Sequence, residues 1–251
     1  MVEKKLSIIV PCFCRADLTQ VCIDSIIRYT DNFELILVQE GEDKELTELF
    51  SKMLVSSEYK NKIKFAHNKT PKGYSGALNT GLEQATGEYI CFMNNDVVAV
   101  PGWMDKMLKC FDEKENVGLV APTFWGSGAK QSIDWGTEPE FDYVDNIFSI
   151  IGVCFIIPRK VLDKIGNWDE SYGHGGEDFD ICQRVQDAGY DIYVARESFI
   201  YHYGGASTRV LVDNNFEKAK KNQIEKLQLF ADKHGYTIEE IMEKIDLSSK
   251  V

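Results

Sequence analysis

The sequence lacks most features that would settle its chemistry at a glance. Its 251 residues include only four histidines and six prolines, and no His/Cys grouping has the spacing of a tetrahedral zinc site. The seven cysteines (12, 14, 22, 91, 110, 154 and 182) form no Cys-x-x-Cys pair. An odd number scattered through apolar runs reads as buried, reduced thiols rather than a disulfide framework. Cationic charge is the minority: 28 basic against 40 acidic side chains give −12. That balance argues against sequence-independent binding to nucleic acid or to an anionic membrane. The longest apolar run, Phe148 to Pro158, is too short to span a bilayer. The opening Met-Val-Glu-Lys-Lys leaves no room for a signal peptide before the first strand. These absences predict a soluble, cytoplasmic protein with no nucleic-acid partner and no transmembrane segment.

What is present alternates between strand and helix. Leu6 to Val10 is a β-branched run closed by Pro11, and residues 16 to 29 carry Leu18, Val21, Cys22 and Ile26 on a helical stripe. Further strands are predicted at Phe33–Val38, Lys62–His67 and Glu88–Met93, with helices near 43–55 and Gly76–Ala85. This alternation predicts a doubly wound sheet whose ligands bind beyond the carboxyl ends of the strands. The second half predicts a helix at Trp103–Phe111 and strands at Val117–Pro122, Phe148–Ile157 and Asp191–Ala195. Helices are expected at Arg159–Ile165 and Glu177–Ala188. Between Phe124 and Asn146 no period emerges. A helix over 214–234 is followed by Thr237-Ile-Glu-Glu240, which fits a capping box.

Three segments could carry chemistry. Asn94-Asn95-Asp96 follows a strand, and a carboxylate flanked by amides suits a hard divalent cation that completes its shell with phosphate oxygens; it also suits an ordinary polar turn. In Glu177-Asp178-Phe179-Asp180, helical spacing puts Asp178 on one face with Ile181, Cys182, Val185 and Ala188. Asp178 then sits at the edge of the interior cleft, where a helix N-terminus favours its anionic form and makes it a proton acceptor. An acidic capping cluster is the plain alternative. His202 follows an apolar strand and precedes two glycines that allow close approach to a bound group. The loop Thr70–Gly76 opens a helix that could receive phosphate on free N–H groups, yet it is neither a GxGxxG fingerprint nor a Walker loop. Trp125, Trp135 and Trp168 could stack on sugar faces or simply fill the core.

The order of six segments resembles the inverting family 2 glycosyltransferases, most of all a rhamnosyltransferase-like branch. They are Leu6-Ser-Ile-Ile-Val-Pro11, Gly73-Tyr-Ser-Gly-Ala-Leu-Asn-Thr-Gly81, Ala85-Thr-Gly-Glu-Tyr-Ile-Cys-Phe-Met-Asn-Asn-Asp96, Ile165-Gly-Asn-Trp-Asp-Glu170, Gly176-Glu-Asp-Phe-Asp-Ile-Cys-Gln-Arg184 and His202-Tyr-Gly-Gly-Ala-Ser-Thr208. The resemblance implies the GT-A fold: a Rossmann-like, mostly parallel α/β sheet flanked by helices, with C-terminal helices added. It implies a domain over 1–213, with its nucleotide-binding half at 1–100 and its acceptor-binding half at 101–213. A helical extension over 214–251 would pack on the same domain. Asp96 would bind a divalent metal, Mn²⁺ or Mg²⁺, with His202. Asp178 would be the general base. Pro11, Phe13, Arg15, Glu40, Gly73, Asn79 and Asn95 would line the nucleotide pocket, and Trp168, Glu177 and Asp180 would meet the acceptor. Two positions depart from the family pattern: Asn94 replaces the first acid of the DxD motif, and Gln39-Glu-Gly-Glu42 replaces the usual Asp-Asp/Asn-Gly-Ser.

The implied activity is transfer of a sugar from a UDP- or dTDP-sugar to a hydroxyl acceptor. The alternatives are a degenerate sugar-nucleotide-binding protein, or a retaining glycosyltransferase or nucleotidyltransferase on the same sheet. Lys218, Lys220, Lys221 and Lys226 offer a peripheral membrane contact, while the apolar stripe of their helix suits core packing.

Overall fold

The computed structural model describes residues 5–56, 59, 62–126, 130–138, 143–144, 148–205, 210 and 215–249. The aliphatic run of β1 (Leu6–Cys12) is buried at all seven positions. It can be so only at the middle of a sheet covered on both faces. β1 pairs in parallel with β2 (Phe33–Glu40) and with β4 (Tyr89–Met93), and β3 (Ile63–Asn68) adds outside β2. The other half contains β5 (Val97–Ala99), β6 (Val117–Trp125), β9 (Cys154–Pro158) and β10 (Asp191–His202), giving the order β3-β2-β1-β4-β9-β6-β10-β5. β6 and β10 are parallel, whereas β9 runs antiparallel to both neighbours and β5 antiparallel to β10. The expected mostly parallel sheet is therefore present, with reversed strands in its second half.

Side chains alternate across the sheet. Ile8 and Val10 face the layer of α1 (Ala16–Tyr29), α2 (Lys44–Val55) and α4 (Trp103–Glu113). Ile9 faces the layer of α3 (Gly73–Leu82), α5 (Arg159–Ile165) and α6 (Glu177–Asp187). The Ile181, Cys182 and Val185 stripe of α6 is fully buried, as its spacing predicts.

Three elements differ from the sequence reading. The stretch after Phe124 contains two short strands, β7 (Ser132–Ile133) on β6 and β8 (Tyr143–Val144) on β10, too brief for any period to register. The strand expected from Phe148 starts only at Cys154, because Gly152 and Val153 form a turn. β10 continues past Ala195 to His202 through a register shift that local alternation conceals.

After residue 215 come α7 (Phe216–His234) and α8 (Ile238–Ser249). Phe230 and Ile241 pack with Tyr172, alongside Phe148 and Phe179. The capping box forms: Thr237 N donates to Glu240 Oε2 at 2.7 Å, and Glu240 N to Thr237 Oγ1 at 3.2 Å. Lys226 leans over Gly176 and donates to Ser171 O at 3.2 Å, so it serves the fold. The boundary expected at 213/214 lies outside the described residues, as do Ala206, Ser207 and Thr208 of the last motif. Among the described residues, no helix is long and apolar enough to cross a membrane.

Candidate active site

At the carboxyl rim of β1, β2 and β4 lies a cavity of about 400 Å³, within the range of nucleotide and cofactor pockets. Asp96, Asp178 and His202, far apart in the chain, all line it. The turn after β4 is fixed by its amides. Asn94 Oδ1 accepts from Tyr74 Oη at 2.8 Å, while Asn95 Nδ2 donates to Thr19 Oγ1 at 2.8 Å and to Cys14 O at 3.3 Å. Asp96 is the acid of this turn and is 5% exposed. Antiparallel pairing of β10 with β5 sets His202 opposite Val97, and Tyr203 N donates to Asp96 O at 3.1 Å. As a result His202 Nε2 stands 3.3 Å from Asp96 Oδ1. That nitrogen is buried and, among the described residues, makes no hydrogen bond.

An imidazole nitrogen set against a carboxylate oxygen is a donor pair of the kind a divalent cation takes. Among the described residues no three His, Cys, Asp or Glu side chains gather at one point. Asp96 and His202 would therefore hold a cation only together with ligands from outside the chain.

Asp178 occupies the first turn of α6. Its Oδ2 accepts from Gly152 N at 3.2 Å and its Oδ1 from Phe179 N at 2.9 Å. The reversed course of β9 supplies Gly152, because it starts that strand beside the carboxyl end of β4, with Cys154 opposite Met93. Burial pushes the Asp178 carboxyl above the ordinary aspartate value, against the backbone N–H groups of Gly152, Phe179 and its own residue, which pull it down. Beside it Glu177 is 8% exposed, its Oε2 making no hydrogen bond among the described residues. Burial and the neighbouring Asp178 push the Glu177 carboxyl up to about 8.

The other expected contacts divide. Pro11, Phe13, Glu40, Gly73 and Asn95 line the cavity. Glu40 has its oxygens occupied, however: Oε2 accepts from Lys72 N at 2.7 Å and Gly73 N at 3.0 Å, and Oε1 accepts from Asn68 Nδ2. With Ser75 N donating to Gly173 O, these N–H groups at the start of α3 are not open to a phosphate, contrary to expectation. Gly73 instead permits a φ of +75°, and an added Cβ would stand 3.1 Å from Gly173.

Four expected contacts lie elsewhere. The Arg15 guanidinium grips Asp17 at 2.7 and 2.8 Å. Asn79 is bound to the backbone of Trp168, with Nδ2 donating to Trp168 O and Oδ1 accepting from Trp168 N, both at 3.0 Å. Trp168 is a core residue, packed on Phe92 and Phe155 with ring centroids 5.1 and 5.9 Å away. Asp180 is 1% exposed and faces α7, where it meets Lys233 at 2.7 Å and His234 at 2.8 Å, besides Arg184 of its own helix at 2.8 Å.

The sequence reading missed His174 and gave Tyr74 no role, though both line the cavity with rings edge to face at 6.1 Å. Burial lowers His174 and raises Tyr74, so both are neutral at pH 7. The local signal for His174 was the glycine setting of Gly173-His-Gly-Gly176.

Comparison with known proteins agrees with this architecture. The chain is 25% identical over 229 residues to the O-antigen biosynthesis protein RfbC of Myxococcus xanthus, covering 82% of this chain and 18% of that one. It is 29% identical over 139 residues to the pre-mycofactocin glycosyltransferase of Mycobacterium tuberculosis, covering 51% and 29%. The chain thus spans less than a third of these curated relatives. Its fold matches GalNAc-T7 solved with UDP, GalNAc and Mn²⁺ (TM-score 0.69, 14% identity, 80% of this chain and 44% of that one). It also matches the mannosyltransferase PcManGT of Pyrobaculum calidifontis in complex with GDP-Man and Mn²⁺ (TM-score 0.67, 14% identity, 92% and 65%). The fold is GT-A. Residues 117–221 match the model of glycosyl transferase family group 2. The model of glycosyl transferase family 2 matches residues 7–166, and the chain belongs to that family.

Proposed function

We propose that this chain transfers a sugar from a nucleoside diphosphate donor, a UDP- or dTDP-sugar, to a hydroxyl acceptor with inversion at the anomeric carbon. The observation that carries the reading is the meeting of Asp96, His202 and Asp178 at one cavity on the carboxyl rim. Asp96 and His202 would hold Mn²⁺ or Mg²⁺, which when bound supplies positive charge to the departing diphosphate. Asp178 takes the proton of the acceptor hydroxyl as that oxygen bonds to C1, while the C1–O bond to phosphate breaks and its electron pair leaves with the diphosphate. Gly152 N and Phe179 N orient the carboxylate, and burial makes it a stronger base than an exposed aspartate. A single displacement of this kind inverts C1. Free cysteines, all buried or half-buried, fit a reducing, cytoplasmic compartment.

The test is an assay of nucleoside diphosphate release from UDP- and dTDP-sugars with Mn²⁺ and a panel of hydroxyl acceptors, followed by NMR of the product. Release that depends on acceptor, with inverted anomeric configuration, is expected. A retained configuration overturns the single displacement, and silence with every donor overturns the transferase reading.

A further inference from the structure

Four aromatic residues, three toward the ends of β6 and β10 and one (Trp135) just after β7, belong neither to the cavity nor to the mechanism. Trp125 touches Trp135, Phe199 and Tyr201, each with ring centroids 5.4 Å away. Phe199 and Tyr201 meet edge to face at 5.1 Å. Trp125 Nε1 donates to Thr137 O at 3.2 Å, which fastens the segment bearing Trp135 to the cluster. The rings are thus held in place, yet Trp135 remains 75% exposed and Tyr201 44%. An organised aromatic patch left in water marks an interaction surface.

Its position follows from strand alternation. In β6, Leu119 and Ala121 belong to the α6 side of the sheet, whereas Phe124 belongs to the opposite side and touches the His202 ring at 5.8 Å. Trp125 therefore faces the α6 side. In β10, Ile200 lies on the Phe124 side, so Phe199 and Tyr201 share the side of Trp125. The patch is on the sheet face that packs the helix of Asp178, and Tyr201 directly precedes His202.

Its chemistry narrows the occupant. Indole and phenol rings offer flat apolar faces with polar tips, matching the C–H faces and hydroxyl rim of a pyranose. Asp134 and Glu138, exposed beside Trp135 and Thr137 in the chain, repel an anionic lipid surface or a polyanion. We propose that this cluster is a docking platform for neutral pyranose units of an oligosaccharide acceptor, holding the chain whose terminal hydroxyl enters the cavity. The platform's place in transfer rests on the reading above; its sugar binding does not.

The probes are neutral hexasaccharides of α-glucan, β-glucan, α-mannan and β-galactan, titrated by tryptophan fluorescence and saturation-transfer NMR, with the corresponding monosaccharides as controls. At least one hexasaccharide is expected to bind more tightly than its monosaccharide. Trp135→Ala, at an exposed position, is expected to weaken it about three- to ten-fold, the loss of one stacked ring. Tyr201→Ala should act in the same direction. Binding of UDP with Mn²⁺ should be the same in Trp135→Ala as in the parent protein. Absence of binding to all four hexasaccharides, or equal binding by Trp135→Ala and Tyr201→Ala, overturns the platform. So does Trp135-dependent sedimentation with phosphatidylcholine–phosphatidylglycerol vesicles, which would assign the patch to a membrane. Sugar binding that persists in a protein without transferase activity would leave the platform standing and sink only the reaction.

Discussion

His202 Nε2 lies 3.3 Å from Asp96 Oδ1, where the end of β10 pairs with β5 just after the turn that carries Asp96. On the proposed reading, Asp96 and His202 would hold a cation only with its anionic substrate completing the shell. Calorimetry of UDP binding should show affinity raised by Mn²⁺ in the parent protein. His202→Ala should cut that Mn²⁺-dependent gain by about ten-fold, roughly the effect of removing one charge-bearing contact. An unchanged gain would remove His202 from the metal site.

Asp178→Asn keeps the size of the side chain and can still accept from one backbone N–H, but no longer takes a proton at neutral pH. Transfer should fall about 10²–10⁴-fold while UDP affinity and melting temperature stay near those of the parent. Transfer at the parental rate would show that another group is the base.

Glu177 provides a signed pH test of stability. Its carboxyl is raised from 4.5 to about 8 by burial and by Asp178. A raised acid contributes stability that is whole below its unfolded value and is lost as pH climbs toward the folded one. Glu177→Gln should therefore match the parent near pH 4 and exceed it at pH 8, by about 2–4 kcal/mol. Denaturant melts at the two pH values decide it: a gap that does not widen with pH would mean that Glu177 is ionised without penalty.

Asp180 carries the opposite sign. Burial raises its carboxyl, but Lys233, Arg184 and His234 outweigh burial and hold it below the ordinary range. The stability it contributes is present above its unfolded value near 3.8 and disappears as pH falls below that. Asp180→Asn should cost about 3 kcal/mol at pH 7, the usual penalty for breaking a buried ion pair. It should also loosen α7, seen as faster amide exchange near Phe230. Unaltered exchange there would mean that apolar packing alone seats the helix.

The sequence disclosed what local chemistry determines. β1, β2 and β4 declare themselves through aliphatic runs, and Asp96, Asp178 and His202 stand at element ends where strand and helix signals are clear. Asp180 was misplaced because Lys233 and His234, more than fifty residues onward, are invisible to spacing within its own helix. Trp168 and Asn79 look equally polar or aromatic on paper, and only the tertiary contact between them shows that they brace the core. Gly152 escaped notice because its value lies in one backbone N–H, which leaves no mark on residue type.

The reversed strand β9 has a consequence for how such a catalyst can diversify. Because Cys154 and its successors are clamped between β4 and β6, the Gly152 amide that donates to Asp178 is anchored two residues away by the sheet. On the proposed reading, insertions or deletions ahead of residue 148 would remodel the acceptor side and leave the base where it is. New specificities become accessible there through changes that leave the chemical step intact.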